Sequence, residues 1–129
     1  MYYPKTGGNK FIMEDILREK MLDAGVNIET AMERFMNNEQ LLVKFLKKFP
    51  QDPNYDAMLV AVEEKRYEDA FKAAHTLKGV CGNLSLESLY ENVCKVVELL
   101  RGGKGEGIDT VLPDAKAEYE RVVAILETI

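Results

Sequence analysis

The sequence has no tryptophan, one histidine, two cysteines and four prolines among its 129 residues. Each scarcity excludes something. Cys81 and Cys94 lack the close-spaced pairs of a zinc site, and a single histidine cannot complete one. A chain of this length buries a core of its own and does not need a disulfide. Both cysteines fall among apolar residues of helical segments and read as reduced, buried thiols. No apolar run approaches the roughly 20 residues that cross a membrane. The N-terminus MYYPKTGGNK lacks the basic-then-apolar pattern of a secretion signal, so a cytoplasmic protein is expected. The net charge is −5 with both signs interspersed, which leaves no basic face for nucleic acid. Alternating β-branched runs are also missing.

What is present is helical periodicity, again and again. A flexible polar tail over residues 1–9 precedes a helix over 10–24, with Phe11, Ile12, Ile16, Leu17 and Met21 on one side. Gly25 ends it. A helical domain over 25–127 follows. Asn27 caps its first helix, whose apolar side is Ile28, Met32, Phe35 and Met36, and Asn37 and Asn38 break it. Leu41, Leu42, Phe45, Leu46 and Phe49 then recur at helical spacing until Pro50 and Pro53. Residues 54–64 carry Met58, Leu59 and Val62, and the polar stretch EEKRYED leads into a helix over 67–83. Ser85 is the expected N-cap of the next helix, whose inward residues are Leu86, Leu89, Tyr90, Val93, Val96, Val97 and Leu100. GGKGEG, residues 102–107, reads as a flexible turn. The last helix, 109–127, has Pro113 in its first turn and turns Leu112, Tyr119, Val122, Val123 and Leu126 inward. Short loops favour antiparallel neighbours. The expected fold is all-α: an up-and-down antiparallel four-helix bundle with additional short N-terminal helices, residues 10–24 capping it.

The stretch AAHTLKGVCGNL, residues 73–84, holds the sole histidine and two glycines, each costing roughly 1 kcal/mol in a helix interior. On a helical wheel Ala70, Ala73, Leu77, Val80 and Leu84 form the buried stripe, flanked by Ala74 and Cys81. His75 lies about 160° away and is exposed. Gly79 is one turn further along the same face and Gly82 the next. Lys72 and Lys78 stand three residues to either side. Three readings compete: an incidental surface histidine, glycines that admit another helix of the fold, or a bare surface that lets a partner reach the imidazole. The wheel disfavours the second, because the glycines lie off the apolar stripe. A neutral imidazole nitrogen is a competent nucleophile. No second catalytic group accompanies it, so the remaining machinery must come from a partner. An ammonium at Lys78, with Lys72 assisting, suits the negative charge of a phosphoryl group.

His75-Thr76-Leu77-Lys78-Gly79, preceded by Ala74 and followed by Asn83-Leu84, resembles the signature of histidine-containing phosphotransfer (HPt) domains, intermediates of multistep phosphorelays. GVNIETAMERFMNNEQLLVKFLKKF, residues 25–49, looks like the N-terminal half of such a domain, and RYEDAFKAAHTLKG has its rhythm. The resemblance covers residues 25–127. Many members carry Gly where this chain has Ser85. The resemblance implies His75 as phosphoacceptor through Nε2, Lys78 as a phosphoryl-stabilising charge, and Gly79, Gly82 and Lys72 in steric clearance and docking. It implies response-regulator receiver domains and a hybrid sensor histidine kinase as partners, with Mg2+ and catalytic carboxylates on the receiver. The protein itself would be a monomeric phosphocarrier, not an enzyme, with no cofactor or metal of its own. Two other functions remain open: a non-phosphorylated helical adaptor, or a module served by a chemotaxis-type kinase with ATP. Phe71, at the edge of the exposed face, either meets a receiver or covers the bundle's rim.

Overall fold

In the computed structural model, which describes the backbone of residues 8–129 and the side chains of residues 15–129, the chain runs through α1 (Gly8–Asp23), α2 (Ile28–Arg34), α3 (Glu39–Lys48), a 3-10 turn (Phe49–Gln51), α4 (Asn54–Glu63), α5 (Tyr67–Asn83), α6 (Glu87–Leu100) and α7 (Ile108–Leu126). The fold is all-α. Among the described residues there is no strand, only an isolated bridge between Val26 and Leu86. None of these helices is long and apolar enough to cross a membrane. Residues 1–7 of the expected tail, and the side chains of Phe11 and Ile12, lie outside the described residues.

Short polar residues start and stop the early helices. Asn27 accepts from the Thr30 N–H at 3.1 Å and Asn38 from that of Leu41 at 3.0 Å, each satisfying a free first-turn donor. Asn38 thus begins α3 rather than ending α2, which has already closed with Met36 N–H donating to Glu33 O and Asn37 N–H to Met32 O. Gly25, at φ +87°, donates to Leu22 O while Val26 donates to Met21 O. This pair of bonds is the Schellman closure of a helix C-terminus.

The same closure ends α5, and it corrects the expectation for Ser85. Ser85 does not cap α6; Leu86 occupies that position, with no side-chain cap bond. Ser85 N–H donates to Gly82 O and Leu86 N–H to Cys81 O, with Ser85 at φ +54°. A left-handed residue is required here, which glycine supplies most cheaply. The serine is anchored instead: it is buried and its Oγ accepts from Thr30 Oγ1 at 2.8 Å. The two closures face each other. Asn27 N–H donates to Ser85 O at 2.8 Å and Glu87 N–H to Gly25 O at 3.1 Å.

Successive helices α4, α5, α6 and α7 pack against one another. Tyr55 of α4 stacks on Tyr119 of α7 with centroids 3.5 Å apart, and Phe49 tilts against the same ring at 5.6 Å. Burial pushes both phenols up to about 12, so the stack stays neutral. Leu42, Leu46, Leu77, Leu89, Val93, Val97, Leu100 and Leu126 fill the centre. The C-terminal end of α1 is tied to α7: Lys20 Nζ donates to Thr128 O at 3.0 Å and Arg121 Nη1 to Asp23 O at 2.7 Å.

Several apolar residues expected inside are not. Ile16 is half-exposed because Met21 and Leu17 take the inward side of α1. Met36 is 88% exposed, since α2 ends at Arg34 and Met36 turns left-handed beyond it. Leu41 and Phe45 lie on the outer flank of α3, where Phe45 stacks on Phe35 at 5.5 Å. Cys94 is only partly buried, while Cys81 is fully buried; both are free thiols. Pro113 sits in the second turn of α7, not the first, because the helix starts at Ile108. The GGKGEG turn is held against α5. Gly105 lies so close to the Tyr67 ring that a Cβ there would collide with it.

Candidate functional site

The site is built on α5, whose 17 residues run as expected from Tyr67 to Asn83. Ala70, Ala74, Leu77, Cys81 and Leu84 are buried, whereas Ala73 and Val80 are only partly so. The buried stripe is therefore rotated about 40° from the expected one, toward Ala74 and Cys81. His75 stays on the opposite side and is exposed, as are Lys72 and Thr76. Lys78 is half-buried at the edge of this face.

The two glycines differ. A Cβ on Gly79 would meet nothing within 4 Å. No neighbour in the fold demands a glycine there. A Cβ on Gly82 would lie 3.2 Å from Cε1 and 3.5 Å from Cδ1 of Tyr90. Gly82 thus lets the Tyr90 ring of α6 lie against α5, which is the packing reading the wheel disfavours. The wheel misses it because Tyr90 is a long side chain that wraps from the next helix onto the flank of α5.

Around His75 the structure gathers residues the motif does not contain. The Phe71 ring is 5.9 Å from the imidazole, centroid to centroid. The Arg101 guanidinium lies over the same Phe71 ring, 5.3 Å from its centroid. Phe71 thus neighbours both the histidine and a cation. Arg101 in turn grips Glu98, Nη2 to Oε2 at 2.8 Å and Nε to Oε1 at 3.3 Å. That fork holds the Glu98 carboxyl below its usual range, with the Lys78 charge adding to the effect. A groove of about 430 Å³ beside Lys78 and Gly79 is bordered by Thr30, Arg34 and Tyr90. Arg34 and Asn83 also border a larger cleft of about 760 Å³ floored by Phe35, Phe45, Phe49 and Leu84.

Arg101, Glu98, Arg34 and Tyr90 are the site residues that sequence reading misses. A signal for two of them exists. α5 and α6 form a hairpin hinged at Leu86, so residues equally far on either side of it meet: Gly82 with Tyr90, and Phe71 with Arg101. Among the described residues no three His, Cys, Asp or Glu side chains come together to hold a metal ion.

An exposed imidazole on a helix face can serve as a nucleophile for chemistry completed by another molecule. Comparison with curated proteins and with solved structures returns no significant match. A family model for the Hpt domain matches residues 15–125, from the second half of α1 almost to the end of α7. Hpt domains are phosphocarriers that act on histidine in phosphorelays, among receiver domains and kinases. With the match spanning most of its length, this chain belongs to the Hpt domain family.

Proposed function

We propose that the protein relays a phosphoryl group between two receiver domains through His75. The observation that carries this reading is the exposed imidazole beside the open space at Gly79. A partner can bring an aspartyl phosphate up to the ring without meeting a side chain at position 79. The Nε2 lone pair of His75 attacks phosphorus, an N–P bond forms, and the P–O bond breaks with its electron pair going to the receiver carboxylate. The imidazole releases its Nδ1 proton to solvent. Attack by the aspartate of a second receiver runs the same exchange in reverse. Mg2+ and the carboxylates that hold it belong to the receivers. This chain supplies the nucleophile, the Lys78 charge and the fitting surface, with Lys72 and Gly82 at its margins, and works as a monomeric carrier rather than an enzyme. On this reading α4 to α7 form an up-and-down antiparallel bundle, α1 to α3 are the additional N-terminal helices, and the protein shares the cytoplasm with its receivers.

The test is intact mass after incubation with phosphorylated receivers, alongside a His75→Gln control. The expected result is an added phosphoryl group that is acid-labile, base-stable and absent from the control. Labelling by a kinase with ATP but by no receiver would make the protein a module of a chemotaxis-type kinase. No labelling from either source would leave an adaptor.

A further inference from the structure

Two cations at the edge of the His75 face bear on one carboxylate. Arg101, at the end of α6, is spent on Glu98 through a two-point fork. Lys78 acts on the same carboxylate. One anion on α6 therefore draws on both Arg101 and Lys78, and the Phe71 ring that neighbours the imidazole also carries the guanidinium. A phosphoryl group on His75 would introduce close to two negative charges and oxygens whose spacing suits the same guanidinium fork. The Glu98–Arg101 pair lies on the surface, where an ion pair is weak and easily exchanged.

We propose that Arg101 is a second phosphoryl-binding cation of this site, parked on Glu98 and Phe71 until His75 is phosphorylated. On phosphorylation the guanidinium swings past the edge of Phe71 to the phosphoryl oxygens and Glu98 is left to solvent and Lys78. Glu98 is then a competitor of the phosphoryl group, and its charge opposes loading of His75. The inference rests on the relay reading above and adds to it two residues outside the histidine motif.

The experiment mixes the full chain with a phosphorylated receiver that loads it, and reads the phosphohistidine fraction at equilibrium and the rate of approach. Arg101→Ala is expected to lower the equilibrium fraction and slow transfer by on the order of tenfold. Arg101→Lys, which keeps the charge but loses the fork, falls between Arg101→Ala and the parent. Glu98→Gln is expected to move the equilibrium the other way, toward phosphohistidine. Opposite signs are the diagnostic, because deleting either half of a merely structural ion pair acts in one direction. Thermal unfolding of each variant separates loss of fold from loss of cation. The inference is overturned if Arg101→Ala loads like the parent, or if Glu98→Gln lowers the phosphohistidine fraction as Arg101→Ala does. If the parent itself takes no phosphoryl group from any receiver, the relay reading fails and this inference falls with it.

Discussion

Leu77 and Gly79 stand two residues apart on α5 and live in opposite surroundings. Leu77 is fully buried among the helices that follow and precede it, while a side chain at Gly79 would touch nothing in the fold. One face of the helix is therefore committed to cohesion, and the other is open, which the proposed relay uses for access. His75 borrows rigidity from the first and reach from the second. A substitution on the inner face should cost stability and spare the chemistry of whatever remains folded; one on the outer face should do the reverse.

The largest break in that division is Leu77→Ala. Truncating a fully buried leucine removes its transfer energy and leaves a cavity, at a cost of about 2–5 kcal/mol. Chemical denaturation should show that loss, and the folded fraction should still take phosphoryl groups at the parent rate. A stable variant that transfers poorly would show that the two faces are coupled. Gly79→Gln tests the other face. It should unfold at or slightly above the parent's denaturant midpoint, since glutamine is the better helix former by about 0.5 kcal/mol. Transfer from a receiver should fall by about tenfold or more, because the new side chain stands where the partner must approach. Parent-rate transfer would remove clearance from the explanation of Gly79.

The two glycines sharpen the comparison within one helix. At Gly79 alanine should gain close to the full helix-propensity difference, about 1 kcal/mol. At Gly82 the same Cβ comes 3.2 Å from Tyr90, so the ring must shift and part of that gain is lost. Midpoints of Gly79→Ala and Gly82→Ala, measured side by side, should rank in that order. The reverse order would mean that Tyr90 moves freely and that Gly82 has no packing role.

Much of this division is legible in the sequence, and the reason is periodicity. A 3.6-residue repeat places Leu77 inward and His75 outward with no knowledge of neighbours. Helix ends are legible where one residue type suffices, as at Gly25 and Asn27. What depends on two distant segments is not. Ser85 reads as a cap because serine favours caps, yet its position is fixed by the left-handed closure of α5 and by Thr30 from another helix. Arg101 and Glu98 read as a surface ion pair at helical spacing. Only the hairpin register, hinged at Leu86, brings Arg101 to Phe71, the ring beside His75.

Ser85 gives the smallest effect and the most pointed one. A non-glycine residue at φ +54° carries a backbone penalty of about 1–2 kcal/mol, and the Thr30 hydroxyl returns about 1 kcal/mol through its bond to the serine Oγ. Ser85→Gly removes both, so its stability should lie within about 1 kcal/mol of the parent. Ser85→Ala keeps the penalty and loses the bond, and should be less stable than the parent by about 1 kcal/mol. Both positions on the α5 wheel that matter to His75 are upstream of this turn, so neither variant should alter transfer. If Ser85→Gly proved as damaging as Ser85→Ala, the Thr30 bond would outweigh the backbone term, and the serine would be anchoring α2 to the end of the histidine helix rather than merely tolerating a glycine's place.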